Sequence, residues 1–253
     1  MARGGGVRAA AHATTRTTML CGRRRTMVTT TTVVASRRGD TMTMSAKKGF
    51  LFSEVEDVRQ GGGADGARAS GKQSVVWSGP LSVQKYPAPC LRAKNAPVEV
   101  FDEALEQLSK EMFKVMYETV GCGLAAPQVG VNYRMMVYNE AGEPGRGKEV
   151  VLCNPKIVKF SKEKDLFEEG CLSFPKMYAD VERPIGVQIE AQSVTGKKFK
   201  MTLEGFEARV FQHEYDHLDG VLYHDRMTPE VRAEVQSYLD SYVEAYEGDD
   251  KAL

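Results

Sequence analysis

Residues 211–220 read FQHEYDHLDG, with His213 and His217 four apart and Glu214 directly after the first histidine. On an α-helix, residues i and i+4 lie on one face, one side chain above the other. Two imidazoles so placed can chelate a tetrahedral cation, and the neighbouring carboxylate can reach a water held beside it. The surrounding sequence predicts a helix from about Gly205 to Leu218. Phe206, Val210, His213 and His217 form one stripe along it, and Phe211, Tyr215 and Leu218 form another. An apolar stripe running into a histidine pair suits a metal beside an apolar pocket; it suits a core helix equally. HExxH alone is a moderately specific pattern.

A third ligand has to come from elsewhere. Downstream of His217 only His224 remains, and the longer HExxHxxGxxH pattern fails at Tyr223. Upstream stands Cys171, in EEGCLSFP. A thiolate is a strong soft ligand, and Gly170 lets the backbone bend close to an ion. A free cysteine is equally at home as a small buried residue, but beside HExxH the ligand reading of Cys171 is favoured.

The rest of the chain bounds the possibilities. Its 42% apolar content suffices for a core, and no run reaches the length of a membrane span. The formal charge of +0 hides an asymmetry. Residues 1–76 carry 13 Lys/Arg against 5 Asp/Glu, leaving 21 against 29 for residues 77–253. An acidic body argues against nucleic acid as ligand. Five cysteines without regular spacing argue against a disulfide scaffold.

Residues 1–50 hold thirteen Ser/Thr, ten Lys/Arg and one acid, Asp40. That is the composition of an organelle transit peptide, or of a generic basic tail. Residues 51–77 read as linker, centred on the Gly/Ala/Ser-rich 59–74, and 249–253 as a disordered tail. After a proline-rich YPAPCLRAKNAPVEVF, Asp102 is placed to cap an amphipathic helix of about four turns. GCGLAAPQVG (121–130) reads as a glycine-rich loop. Strands are expected at 133–139, 149–155, 156–160, 186–193 and 197–203, with VTGK as a hairpin turn and EEGCLSFP as a loop. A last helix should run from Pro229 to about Tyr246. The class expected is α+β: a single domain of short antiparallel strands around a central HExxH helix, with N-terminal and C-terminal helices.

Three stretches in order, GCGLAAPQ (121–128), EGCLS (169–173) and QHEYDHLDG (212–220), resemble the motifs of peptide deformylases. The resemblance spans residues 78–248 and includes YPAPCLR and VERPIGVQIEA; the leader and FPKMYADVERP are similar to the organellar 1B type of plants and algae. It implies removal of the N-formyl group from the initiator methionine of nascent polypeptides, in a plastid or mitochondrion. It further implies Cys171, His213 and His217 as metal ligands, iron(II) as the native ion with zinc an alternative, and Glu214 as general acid and base. Gln128 and the backbone N–H of Leu172 would hold the developing oxyanion. Gly123 would pair with the substrate backbone. Cys122, Phe206, Val210 and the stem of Glu169 would wall the methionine pocket. Asp216 would pair with Arg183 as support, and Cys90, Cys122 and Cys153 are expected as buried or half-buried thiols.

The expected partners are formyl-methionyl nascent peptides and the organellar ribosome, with no specific nucleic acid and no membrane. Two departures stand out. Tyr178 replaces a residue that is often basic, and the chain's end is acidic where some bacterial members dock on ribosomes through a basic helix. Two other readings remain open on residues alone. An HExxH endopeptidase predicts a downstream ligand, and a non-catalytic peptide-binding relative predicts a broken motif at Glu214 or Gln128.

Overall fold

The computed structural model describes residues 72–248 and residue 251. The transit-peptide reading of 1–50, residues 51–71 of the linker and all of the tail but Lys251 lie outside the described residues. Among the described residues seven strands follow in chain order: β1 (Gly123–Ala125), β2 (Met135–Tyr138), β3 (Val150–Phe160), β4 (Lys164–Cys171), β5 (Phe174–Pro184), β6 (Gly186–Gln192) and β7 (Lys198–Glu204). Three α-helices accompany them among the described residues: α1 (Glu103–Glu118), α2 (Gly205–Leu218) and α3 (Pro229–Glu244). Five strands form an antiparallel sheet in the order β1-β2-β3-β6-β7, while β4 and β5 form a separate hairpin.

α1 starts where a carboxylate can satisfy an orphan amide: Asp102 accepts from the Leu105 N–H. Its buried Leu105, Leu108, Met112 and Met116 recur at helical spacing and pack with Leu124, Met135 and Val137 of the sheet. Val75 is buried in the same cluster, and Trp77 packs against it. α2 packs against β1, β2 and β7 and also against β5, which places the histidine-bearing helix between sheet and hairpin. α3 begins with Pro229 after Thr228, whose hydroxyl accepts from the Val231 N–H. VTGK makes the expected turn, with Ser193 N–H donating to Lys197 O and Gly196 at φ +81°. Cys90, Cys153 and Cys171 are free thiols, and burial pushes Cys153 up to about 12.

Several expectations need correction. The strands are not all short, since β3 and β5 run eleven residues each. The two strands expected at 149–155 and 156–160 are one, β3, interrupted by a bulge between Cys153 and Lys156. At the bulge Asn154 has φ +50°, and its amide bridges both polar groups of Val98 at 2.8 Å each. Pro155 and the bulge broke the sequence signal without breaking the strand. EEGCLSFP is not a loop: β4 ends on Cys171 and β5 starts at Phe174. Along β4 Lys164, Asp165 and Glu168 are exposed and Glu169 is buried, so no apolar alternation announced the strand. Part of the expected loop 121–130 is strand β1 followed by a 3-10 turn, Ala126–Val129. Helix α3 ends at Glu244, close to the expected Tyr246.

The hairpin, the YPAPCLR segment and α3 share a second core containing Tyr86, Phe174, Tyr223 and Leu239. His224 is inserted there with a fully buried side chain, 5.2 Å from the rings of both Tyr86 and Phe174. Burial lowers its pKa to about 4; Asp225 opposes this, and Arg92 and Arg232 reinforce it. In the unfolded chain this ring titrates near its ordinary 6.5, so on acidification the unfolded state takes a proton first. His224 therefore costs stability as pH falls from about 6.5 to about 4, and no further below that window. In urea denaturation across this range, wild type should lose more stability than His224→Gln. Equal pH slopes would refute the assignment.

Candidate metal centre

Cys171 ends β4 at the tight turn where it pairs with Phe174, and α2 supplies His213 and His217 from one face. One ligand atom from each lies within 4.8 Å of the other two. Cys171 Sγ is 3.3 Å from His217 Nε2, and the two imidazole centroids are 5.3 Å apart. Donors of a tetrahedral ion with these bond lengths sit about 3.3–3.6 Å apart, so the trio fits a cation after small adjustments. All three residues are buried. The donor set of one thiolate and two imidazoles suits zinc and ferrous iron alike.

A carboxylate orients this trio. Glu169 and Cys171 are two apart on β4, hence on one face of the strand. Glu169 Oε2 faces His213 Nδ1 at 3.0 Å, which assigns the proton to Nδ1 and leaves Nε2 for an ion. Arg183 binds the same carboxylate through Nε at 2.6 Å and Nη2 at 3.0 Å, and Arg209 donates to Oε1 at 2.8 Å. Burial alone would raise the Glu169 pKa, but hydrogen bonds from His213 and Arg183 outweigh it and hold the carboxyl well below the ordinary range. Arg183 also donates to Asp216 at 2.8 Å, the expected pair, and Arg226 closes the far side of Asp216 at 2.6 Å.

Glu214 lies on the same helix, 4% exposed, with its Oε2 lacking a hydrogen-bond partner among the described residues. Burial raises it to about 7, against the attraction of His213. Gly123 packs directly on it: a Cβ there would overlap Oε1 and come within 2.9 Å of the carboxyl carbon. Crowding by Glu214 is thus what the structure shows as the reason for glycine at this position. Gly170 has an equally local reason, for a Cβ would lie 2.7 Å from Cε1 of Tyr178, its cross-strand neighbour. Gln128 is 1% exposed and held by its oxygen, which accepts from the Ala125 N–H at 2.8 Å. Its Nε2 consequently points to Cys171 Sγ at 3.6 Å and Ser173 Oγ at 3.4 Å. Leu172 sits in the adjoining turn.

The pocket candidates are only partly gathered. Val210 and Cys122 pack in one cluster. Phe206 is 43% exposed and leans on Phe167 of the hairpin at 6.2 Å between centroids. Glu169 is in place, but its carboxylate belongs to the ion network.

The family model for polypeptide deformylase matches residues 80–233. The chain belongs to the polypeptide deformylase family. Peptide deformylase 1B, chloroplastic/mitochondrial, of Arabidopsis thaliana is 53% identical over 173 residues, covering 68% of this chain and 63% of that protein. A peptide deformylase of Thermotoga neapolitana is 44% identical over 150 residues, covering 59% of this chain and 88% of the relative. Among solved structures, a plant deformylase of the 1B type aligns with TM-score 0.68 at 52% identity, covering 69% of this chain and 95% of the other. The Plasmodium falciparum enzyme aligns with TM-score 0.64 at 40% identity, over 65% of this chain and 96% of that one. The chain spans less than two thirds of the length of the curated plant relatives it matches. The deformylase family is metal-dependent, and membership displaces the reading as an unrelated HExxH endopeptidase.

The buried network around Glu169 was missed in sequence, although two signals for it exist. Glu169 stands two before Cys171, and Arg209 stands four before His213. Replacing Arg183 by Met would leave two buried carboxylates without their shared cation. Such a loss costs about 3–5 kcal/mol. Arg183→Met should therefore lower unfolding free energy by that amount in urea titrations, while Lys164→Met, at an exposed pair, should change it by less than about 1 kcal/mol.

Proposed function

We propose that this chain removes the N-formyl group from the initiator methionine of nascent polypeptides and releases formate. The observation that carries the reading is the convergence of Cys171, His213 and His217 with the buried Glu214 carboxylate, whose Oε2 is unpartnered among the described residues, in a chain of this family. A divalent cation held by the trio supplies Lewis acidity, which brings the pKa of water into the neutral range. Glu214 takes a proton from the attacking water and returns it to the leaving amine as the formyl C–N bond breaks. Gln128 Nε2 and the Leu172 N–H donate to the formyl oxygen as it gains charge. The Gln128 orientation supports its part, since the oxygen end of its amide is already occupied.

In this reading Gly123 in β1 pairs with the substrate backbone, and the methionine side chain lies among Cys122, Val210, Phe206 and the stem of Glu169. Such a pocket separates side chains differing by one methylene by about 1–3 kcal/mol. We assign iron(II) as the native ion with zinc as a substitute; divalent affinity order favours zinc over iron, so iron would reflect supply. The basic, hydroxyl-rich leader and the chloroplastic or mitochondrial names of the plant relatives support action in a plastid or mitochondrion. No helix among the described residues is long and apolar enough to cross a membrane. Substrate would be met at the organellar ribosome without a basic docking helix, since α3 carries Glu230, Glu234, Asp240 and Glu244 against Arg232.

The test is formate release from a short formyl-methionyl peptide. Glu214→Ala should reduce kcat by roughly 10²–10⁴-fold, and Gln128→Ala by about 10²–10³-fold. Chelation should abolish turnover, with iron(II) under anaerobic conditions or zinc restoring it. A metal-loaded wild-type protein that releases no formate would contradict the reading and leave a peptide-binding relative in its place.

A further inference from the structure

The segment Gln84–Tyr86 crosses both turns that carry the proposed oxyanion donors. The Gln84 N–H donates to the Gln128 carbonyl at 2.7 Å, and the Tyr86 N–H donates to the Ser173 carbonyl at 2.9 Å. Between them, Lys85 Nζ donates to the Leu172 carbonyl at 2.7 Å. Gln128 Nε2 reaches Ser173 Oγ at 3.4 Å, so the two turns also touch each other directly. The segment therefore acts as a strap, with backbone bonds at either end and one charged side chain in the middle.

The middle contact matters because of which residue it holds. Leu172 lies in the tight turn between Cys171 and Phe174, where planar peptides leave few soft dihedrals. Pinning the Leu172 carbonyl limits rotation about that residue, and with it the direction of the Leu172 N–H one peptide earlier. In the sequence VQKYPAPCLR, Lys85 looks like an ordinary solvated charge. In the fold it joins residues 87 apart. A charge-assisted bond to a carbonyl is stronger than a neutral one.

We propose that Lys85 is a positioning residue that fixes the Leu172 donor relative to Gln128; the reaction it serves rests on the deformylase reading. Lys85 touches no reacting atom in this assignment. Its effect falls on the transition state, where the oxyanion forms, and leaves substrate binding largely unchanged.

The experiment compares metal-loaded full-length wild type, Lys85→Met and Lys85→Arg on a formyl-methionyl peptide, with hydrogen–deuterium exchange of residues 170–173 as a second readout. Loss of one such hydrogen bond predicts a fall in kcat of about 3–10-fold for Lys85→Met. KM should stay within about 2-fold, as expected for an interaction made in the transition state. Lys85→Arg, which keeps a charged donor, should recover most of the loss. Exchange at 170–173 should be faster in Lys85→Met only. Wild-type kcat and exchange in Lys85→Met would overturn the proposal, and so would equal losses in both variants accompanied by lower thermal stability. A wild type that releases no formate fails the deformylase reading instead, and the exchange comparison still decides whether Lys85 holds the turn.

Discussion

Glu169 receives His213, Arg183 and Arg209 within a buried volume that also contains the Arg183–Asp216 pair. It ties strand β4, strand β5 and helix α2 together at the point where Cys171 and the two histidines meet. Burying several charges is expensive, and a well-packed apolar cluster could hold the same elements together at least as firmly. What an apolar cluster could not do is select a ring nitrogen. The carboxylate takes the Nδ1 proton of His213 in hydrogen bonding and so presents Nε2 to the thiolate side.

Around that anchor the packing is tight enough to dictate small residues. Gly123 yields its side-chain volume to Glu214, and Gly170 yields its own to Tyr178. The two glycines carry different messages although both sit in recognisable motifs. One keeps a carboxylate close beneath strand β1, and the other seats an aromatic ring across the hairpin. Neither has a backbone torsion that forbids a side chain; space alone decides. Gln128 follows the same logic, since an amide fixed at one end has only one direction left for its N–H groups.

Much of this was legible in residues. Helical spacing located α1 and α2, Pro229 marked the start of α3, the HExxH pair lies on one helical face, and the lack of a suitable downstream ligand led to Cys171, forty-two residues before His213. The hairpin was not legible, because β4 exposes most of its charged residues and shows no apolar alternation. Strand β3 was read as two because Pro155 and the Asn154 bulge interrupt its pattern without ending its pairing. The contacts of Glu169 with Arg209 and His213, and of Lys85 with Leu172, join residues 40 to 87 apart, and local periodicity carries no trace of which charges will meet. Arg209 and Glu169 could have been found by asking which charged residues share a face with a ligand. Lys85 could not.

We propose that Glu169 sets His213 to bind an ion through Nε2. Long-range ¹H–¹⁵N correlation of the histidine rings in zinc-loaded protein is the test. His213 should appear protonated on Nδ1, with the metal-shifted nitrogen at Nε2. A His213 ring protonated on Nε2, or one whose nitrogens do not respond to zinc, would contradict it.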